Sequence, residues 1–183
     1  MERLETRLKG PILLAPTVHG DNRGFFLETY RRDEYAELGI ADEFVQDNHS
    51  LSRRGIVRGM HFQAGQSKLV RCARGAVLDV VVDIRRGSPT FGEWEAVELD
   101  AERHLQLYVP DGFAHGFCVL SELADLTYKV STYYDPQAES GFRYDDPEVG
   151  IEWPGDDLIP SERDANAPRL AEIADSLPFS YED

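Results

Sequence analysis

The sequence predicts an all-β domain, closed as a sandwich or barrel, and three observations carry that reading. Short segments alternate apolar and polar residues, Gly, Pro, Asn or Asp punctuate them, and helical periodicity is convincing in only two places. Successive side chains of a strand point to opposite faces, so alternation marks a sheet with one face buried. Many short strands with few helices favour a closed β architecture.

Nine segments satisfy the pattern. Ile12 to Val18 follows Gly10-Pro11, and Gly24 to Tyr30 follows Asp21-Asn22-Arg23. Phe44 to Asn48 comes next, and Ile56 to Gln63 opens after Gly55. Arg74-Gly75 separates Lys68 to Ala73 from Ala76 to Ile84. Glu93 to Leu99, His104 to Val109 and Leu126 to Tyr134 complete the set. Within Ala76 to Ile84, Leu78, Val80, Val82 and Ile84 share one face, and Val77, Asp79, Val81 and Asp83 the other. Two carboxylates on a strand face need water or partners. Asp33 to Leu38 reads as a short connecting helix. Ser161 through Ala174 reads as one or two more, interrupted at Pro168 and opened by the capping-box pattern Ser161-Glu-Arg-Asp164.

The 183 residues, 42% of them hydrophobic, suffice for one sizeable core and are short for two. With no repeat, linker or compositional break, a single domain over residues 1–183 is expected. No run of about eighteen apolar residues occurs, and MERLETRLKG carries charge where a secretory signal needs an apolar segment. A soluble, cytoplasmic protein is expected, without a membrane partner. The net charge of −15 opposes nonspecific binding to nucleic acid or anionic membranes. Cys72 and Cys118 sit in separate apolar runs and read as two buried thiols.

Two stretches hold the chemistry. One is His61-Phe-Gln63 followed by Lys68 and Gly75, and the other is Pro110-Asp-Gly-Phe-Ala-His115-Gly. A strand histidine taken singly is most simply a core residue. His61, Lys68 and His115 facing one another inside a barrel would instead form a ligand site. In order and setting the two stretches resemble the motifs of the cupin superfamily, whose barrel often holds a metal on three histidines and a glutamate. Here Gln63 replaces the second histidine and Lys68 stands at the glutamate's place. An ammonium has no lone pair to offer and repels a cation, which leaves too few ligands. No metal and no cofactor are expected.

The likeness then narrows. Asp21-Asn-Arg-Gly-Phe-Phe-Leu-Glu28, Phe44-Val-Gln-Asp-Asn-His-Ser50, Arg58-Gly-Met-His-Phe-Gln63, Lys68-Leu-Val-Arg-Cys72, Ser88-Pro-Thr-Phe-Gly92, Pro110 to Phe117, and Tyr128-Lys129 with Tyr133-Tyr134 occur in this order. From about Asp21 to Asp164 the chain resembles the dTDP-4-dehydrorhamnose 3,5-epimerase family. The resemblance implies a cupin-type double-stranded β-helix, a jelly-roll barrel with short peripheral helices and a C-terminal helical segment. It also implies a metal-free homodimer acting on a dTDP-linked 4-keto-6-deoxyhexose.

Inverting a carbon beside a ketone needs a base, an enolate stabiliser and an acid. An imidazole, with an unperturbed pKa of about 6.5, suits the first role, and by resemblance His61 fills it. The family pairs that base with an aspartate, here Asp164. The capping box is an equal alternative for Asp164, and both stand open. Lys68 places a fixed cation for the enolate oxygen. Tyr128 takes the proton donor's position. Period two puts Leu126, Tyr128, Val130, Thr132 and Tyr134 on one face, whereas Tyr133 reads as core packing.

By the same resemblance Arg23 and Arg58 hold phosphate oxygens, and Tyr134 stacks on thymine. Gln46, Asp47 and Asn48 match the thymidine-contacting stretch, Glu28, His115 and Glu139 match further contacts, and Arg163 stands where relatives carry a basic residue. The chain departs from the pattern between Gln63 and Lys68, where only Ala-Gly-Gln-Ser intervene, a shortening that bears on which carbon is inverted. A single-carbon epimerase and a non-catalytic sugar-nucleotide binder are the rival readings. Strict alternation also puts Arg58 and His61 on opposite faces, so Gly59 must bend the strand or a bulge must re-aim one of them.

Overall fold

The computed structural model describes residues 1–181. Its elements in chain order are β1 (Glu2–Leu4), β2 (Ile12–Ala15), β3 (His19–Asp21), β4 (Gly24–Phe26), α1 (Arg32–Glu37) and β5 (Gln46–Arg53). β6 (Val57–Gln63), β7 (Lys68–Arg74), β8 (Ala76–Asp83), β9 (Trp94–Asp100) and β10 (Gln106–Val109) follow. β11 (Phe113–Val119), β12 (Leu123–Val130), β13 (Glu139–Gly141), α2 (Glu162–Ala165) and α3 (Leu170–Ile173) close the series. One sheet runs β1-β2-β10-β7-β12-β5, the other β13-β6-β11-β8-β9, and β3 and β4 form a separate hairpin. This is the all-β jelly-roll architecture that the sequence predicts.

Three apolar clusters hold the layers together. Between the sheets, Val70, Cys72, Leu107 and Leu126 of the first meet Val77, Val81, Phe113 and Phe117 of the second. The outer face of the five-stranded sheet, with Met60, Val80, Val82 and Ile84, is covered by Phe142, Leu170, Leu177 and Phe179 from the C-terminal segment. Tyr35 and Ile40 cover Ile12, Leu14 and Leu69 on the outside of the six-stranded sheet. β8 divides its side chains between the first two clusters as its alternation requires, and both inward carboxylates have partners. Asp83 accepts from Arg85, Ser88 and Thr90, and Asp79 accepts from His115.

The departures from expectation have physical causes. β11 is absent from the sequence reading because every one of its residues is buried, Phe113 and Phe117 in the central core and Ala114 in the outer one. A strand buried on both faces shows no alternation. Gly24 to Tyr30 stops at Phe26, and Leu126 to Tyr134 instead runs from Leu123 to Val130. Tyr133 is no core residue, being 72% exposed. The C-terminal stretch forms α2 and α3 with Pro168 between them.

The parity of Arg58 and His61 is settled by a bulge. His61 pairs with His115 and Arg58 with Phe117, so two residues of β6, Gly59 and Met60, lie against the single Gly116 of β11. Gly59 has φ +138°, and a Cβ there would lie 2.6 Å from Gly116 Cα. A Cβ on Gly116 would lie 2.8 Å from the Arg58 carbonyl oxygen. Only glycine fits on either side, and the extra residue turns Arg58 and His61 to the same chamber.

Candidate active site

The two sheets part at one end of the barrel around a cavity of about 530 Å³. β6 contributes Arg58 and His61, β7 Lys68, β11 His115 and β12 Tyr128. Tyr134, Glu139, Arg163 and Asp164 border it from the segments that follow. Nine side chains singled out in the sequence therefore converge here.

His61 and Asp164 form its firmest polar contact. His61 Nε2 lies 2.7 Å from Asp164 Oδ1, and the Gly59 amide donates to Oδ2 at 3.3 Å. The carboxylate is buried. Burial alone would raise its pKa, but the hydrogen bond and charge of His61, with donors from Gly59 and Ser161, bring it below the ordinary value. An ionised Asp164 fixes the Nε2–H tautomer and leaves the Nδ1 lone pair of His61 free. Both readings of Asp164 hold in part. Ser161 Oγ accepts from the Asp164 amide at 3.1 Å and caps α2, while the Asp164 side chain turns to His61 instead of closing the box.

Lys68 has no carboxylate within 4 Å among the described residues. Burial lowers its pKa to about 8, against the charges of Glu139 and Asp79, which favour the ammonium. Tyr128 is pushed up from the ordinary phenol range, chiefly by burial, with Glu139 acting the same way and Arg58 opposing. His61 stands on the five-stranded sheet and Tyr128 on the six-stranded one, so the two face the cavity from opposite walls.

At the mouth, Glu139 Oε2 accepts from Arg163 Nη1 at 2.5 Å and from the Tyr134 hydroxyl at 3.2 Å. Tyr134 reaches this place from a loop and not by strand parity, and Gln63 holds that loop. Gln63 Nε2 donates to Thr132 Oγ1 and the Tyr133 carbonyl, and its Oε1 accepts from the Asp135 amide. The residue that replaces a cupin's second histidine thus anchors the loop that carries the aromatic ring.

Five of the sequence-predicted residues lie elsewhere. Arg23 projects into solvent from the β3–β4 hairpin, its side chain 84% exposed and paired with Asp21, and Glu28 follows that hairpin. On β5, Gln46 and Asn48 share the inward parity of Ser50, which lines the cavity, and Gln46 Nε2 donates to Asn48 Oδ1 at 2.8 Å. Asp47 points to the outer face, where Lys129 Nζ donates to it at 2.7 Å beside a second hollow of about 310 Å³. Sequence reasoning missed Ser52, whose hydroxyl accepts from Arg58 Nε at 3.1 Å. It also missed a role for Asp79, although the carboxylate pattern of β8 was a visible signal.

The family profile described as dTDP-4-dehydrorhamnose 3,5-epimerase matches residues 5–172. A Salmonella typhimurium dTDP-4-dehydrorhamnose 3,5-epimerase is 50% identical over 172 residues, covering 91% of this chain and 94% of the relative. The crystal structure of a dTDP-6-deoxy-D-glucose-3,5-epimerase from Legionella pneumophila, in complex with dTDP-4-keto-L-rhamnose, superposes with a TM-score of 0.96 at 45% identity, covering 100% of this chain and 99% of that one. A 3'-monoepimerase from Streptomyces bikiniensis in complex with dTDP-quinovose has a TM-score of 0.87 at 40% identity, covering 93% and 89%.

Proposed function

The chain belongs to the dTDP-4-dehydrorhamnose 3,5-epimerase family, and we infer that its chamber inverts C3 and C5 of dTDP-4-dehydro-6-deoxy-D-glucose. The observation that carries this reading is the 2.7 Å His61–Asp164 pair facing the same cavity as Lys68 and Tyr128. His61 Nδ1 takes the proton from the carbon beside the C4 ketone, and the electron pair moves onto the ketone oxygen. Asp164 stabilises the imidazolium. The Lys68 ammonium faces the enolate oxygen, where a preorganised cation lowers the barrier most. Tyr128 then delivers its hydroxyl proton to carbon, and solvent restores the phenol and the neutral imidazole. Because base and acid stand on opposite sheets, a sugar ring between them loses a proton from one face and gains one on the other.

Arg58, held by Ser52, is suited to a diphosphate oxygen, and Tyr134 offers its ring to thymine at the mouth. His115, Glu139 and Arg163, with the stretch 46–48 of β5 toward the thymidine, complete the contacts within one chain. Phe25 and Phe26, 61% and 67% exposed, follow the exposed Arg23 side chain, which is paired only with Asp21 of its own hairpin among the described residues. Apolar surface of that kind seeks a partner. We assign the hairpin to a second copy in a homodimer, where Arg23 and Glu28 reach the partner's mouth. The two buried free thiols suit a reducing cytoplasm. Mixing Arg23→Ala and His61→Ala subunits should restore activity that neither homodimer has, since one hybrid site then holds both native residues. A mixture as inactive as its parents would sink the shared site.

Deuterium wash-in from solvent into dTDP-4-keto-6-deoxyglucose, followed by NMR, tests the reaction. Label at C3 and C5 is expected, and treatment with a chelator should leave the rate unchanged. Label at one carbon would instead make the protein a monoepimerase, and none would make it a binder.

A further inference from the structure

The chamber holds a second histidine–carboxylate pair. His115 lies opposite His61 on the β6–β11 ladder, and its Nε2 is 2.9 and 3.0 Å from the two carboxylate oxygens of Asp79. Asp79 is fully buried on β8, between Val77 and Val81 on the inward face, and both of those fill the apolar core. Among the described residues no lysine or arginine lies within 4 Å of it. A carboxylate so placed costs stability unless it is well partnered, and packing alone would favour a hydrocarbon side chain there. Its position therefore calls for a role in the chamber above it.

We propose that Asp79 is a positioning residue for the epimerisation: it accepts the Nε2–H of His115, which leaves the Nδ1 lone pair to receive a sugar hydroxyl, and its charge faces the Lys68 ammonium from beneath the chamber. Two further observations agree. Asp79 and Glu139 are the carboxylates whose charges oppose the lowering of the Lys68 pKa by burial. Glu139 is already engaged by Arg163 at 2.5 Å, whereas Asp79 has no Lys or Arg partner among the described residues. The other titratable or charged groups around the chamber are Arg58 and His61 of β6, Tyr128 of β12, Tyr134, and Arg163 and Asp164 of α2. Asp79 thus touches His115 through its hydrogen bonds and acts on Lys68 through its charge. The inference rests on the epimerase reading of the chamber.

Asp79→Asn keeps the shape and removes the charge. In the full-length protein kcat should fall at least about tenfold with KM changed by no more than about twofold, because the interaction serves the enolate more than the ground state. The alkaline limb of the pH profile should also move to lower pH, since Lys68 loses an anion that favours its ammonium. Asp79→Glu should recover part of that limb. Nitrogen-15 imidazole NMR of the wild-type protein should show His115 protonated at Nε2, a readout that does not depend on how a variant folds. A wild-type His115 protonated only at Nδ1 would overturn the proposal, as would an Asp79→Asn enzyme with unchanged kcat and alkaline limb. A wild-type protein that exchanges no deuterium would overturn the epimerase reading instead, and the tautomer spectrum would still report on the Asp79 contact.

Discussion

Replacing His61 with alanine is expected to abolish deuterium incorporation at both C3 and C5 while dTDP still binds. The imidazole carries the lone pair that faces the substrate carbons, and Asp164 anchors it from behind. Asp164 is held ionised by its donors, so it fixes His61 without competing for the substrate proton. A positioned general base contributes about 10² to 10⁴ in rate, and here one group serves both carbons, so both labels should fall together. Affinity for dTDP should change little, because the phosphate and thymine contacts proposed above belong to Arg58 and Tyr134. NMR exchange rates and calorimetric titration with dTDP measure the two sides of the expectation. A variant that still exchanged C5 at the wild-type rate would show that a second base serves that carbon.

The chamber was legible in the sequence where a residue's chemistry conflicts with its expected environment. Lys68 among apolar strand residues, with His61 and His115 in two separated apolar stretches, is together an unlikely set for a plain β-core. The structure brings all three into one cavity. What alternation could not convey is the bulge at Gly59, because a count of two carries no information about where one extra residue enters. Nor could it find β11, whose two faces are both buried. Tyr134 was placed correctly at the cavity for the wrong reason: its strand ends at Val130, and Gln63 holds the loop that brings it there. Arg23 and Glu28 could be singled out as ligand contacts, but a single chain leaves them in solvent.

Lys68 provides the sharpest test of how the site handles charge. Burial holds its pKa at about 8, so the ammonium predominates near neutrality and is lost as pH rises through that value. The enolate oxygen needs the charged form, and turnover should therefore decline on the alkaline side with a midpoint near 8 if Lys68 is the group responsible. Lys68→Met removes the cation and keeps much of the stem's volume. Its kcat should drop by about 10² to 10³, the range found when one oxyanion stabiliser is deleted, and the residual activity should lose the alkaline decline. Lys68→Arg offers the complementary result. A guanidinium stays charged throughout the range, so the decline should disappear while kcat falls because the planar fork cannot occupy the ammonium's place. Tyr128 does not predict the same outcome: its pKa is pushed upward, so it remains a protonated acid well above the Lys68 midpoint. A Lys68→Met enzyme that kept the wild-type alkaline midpoint would move the titration to another group and leave Lys68 a binding role only.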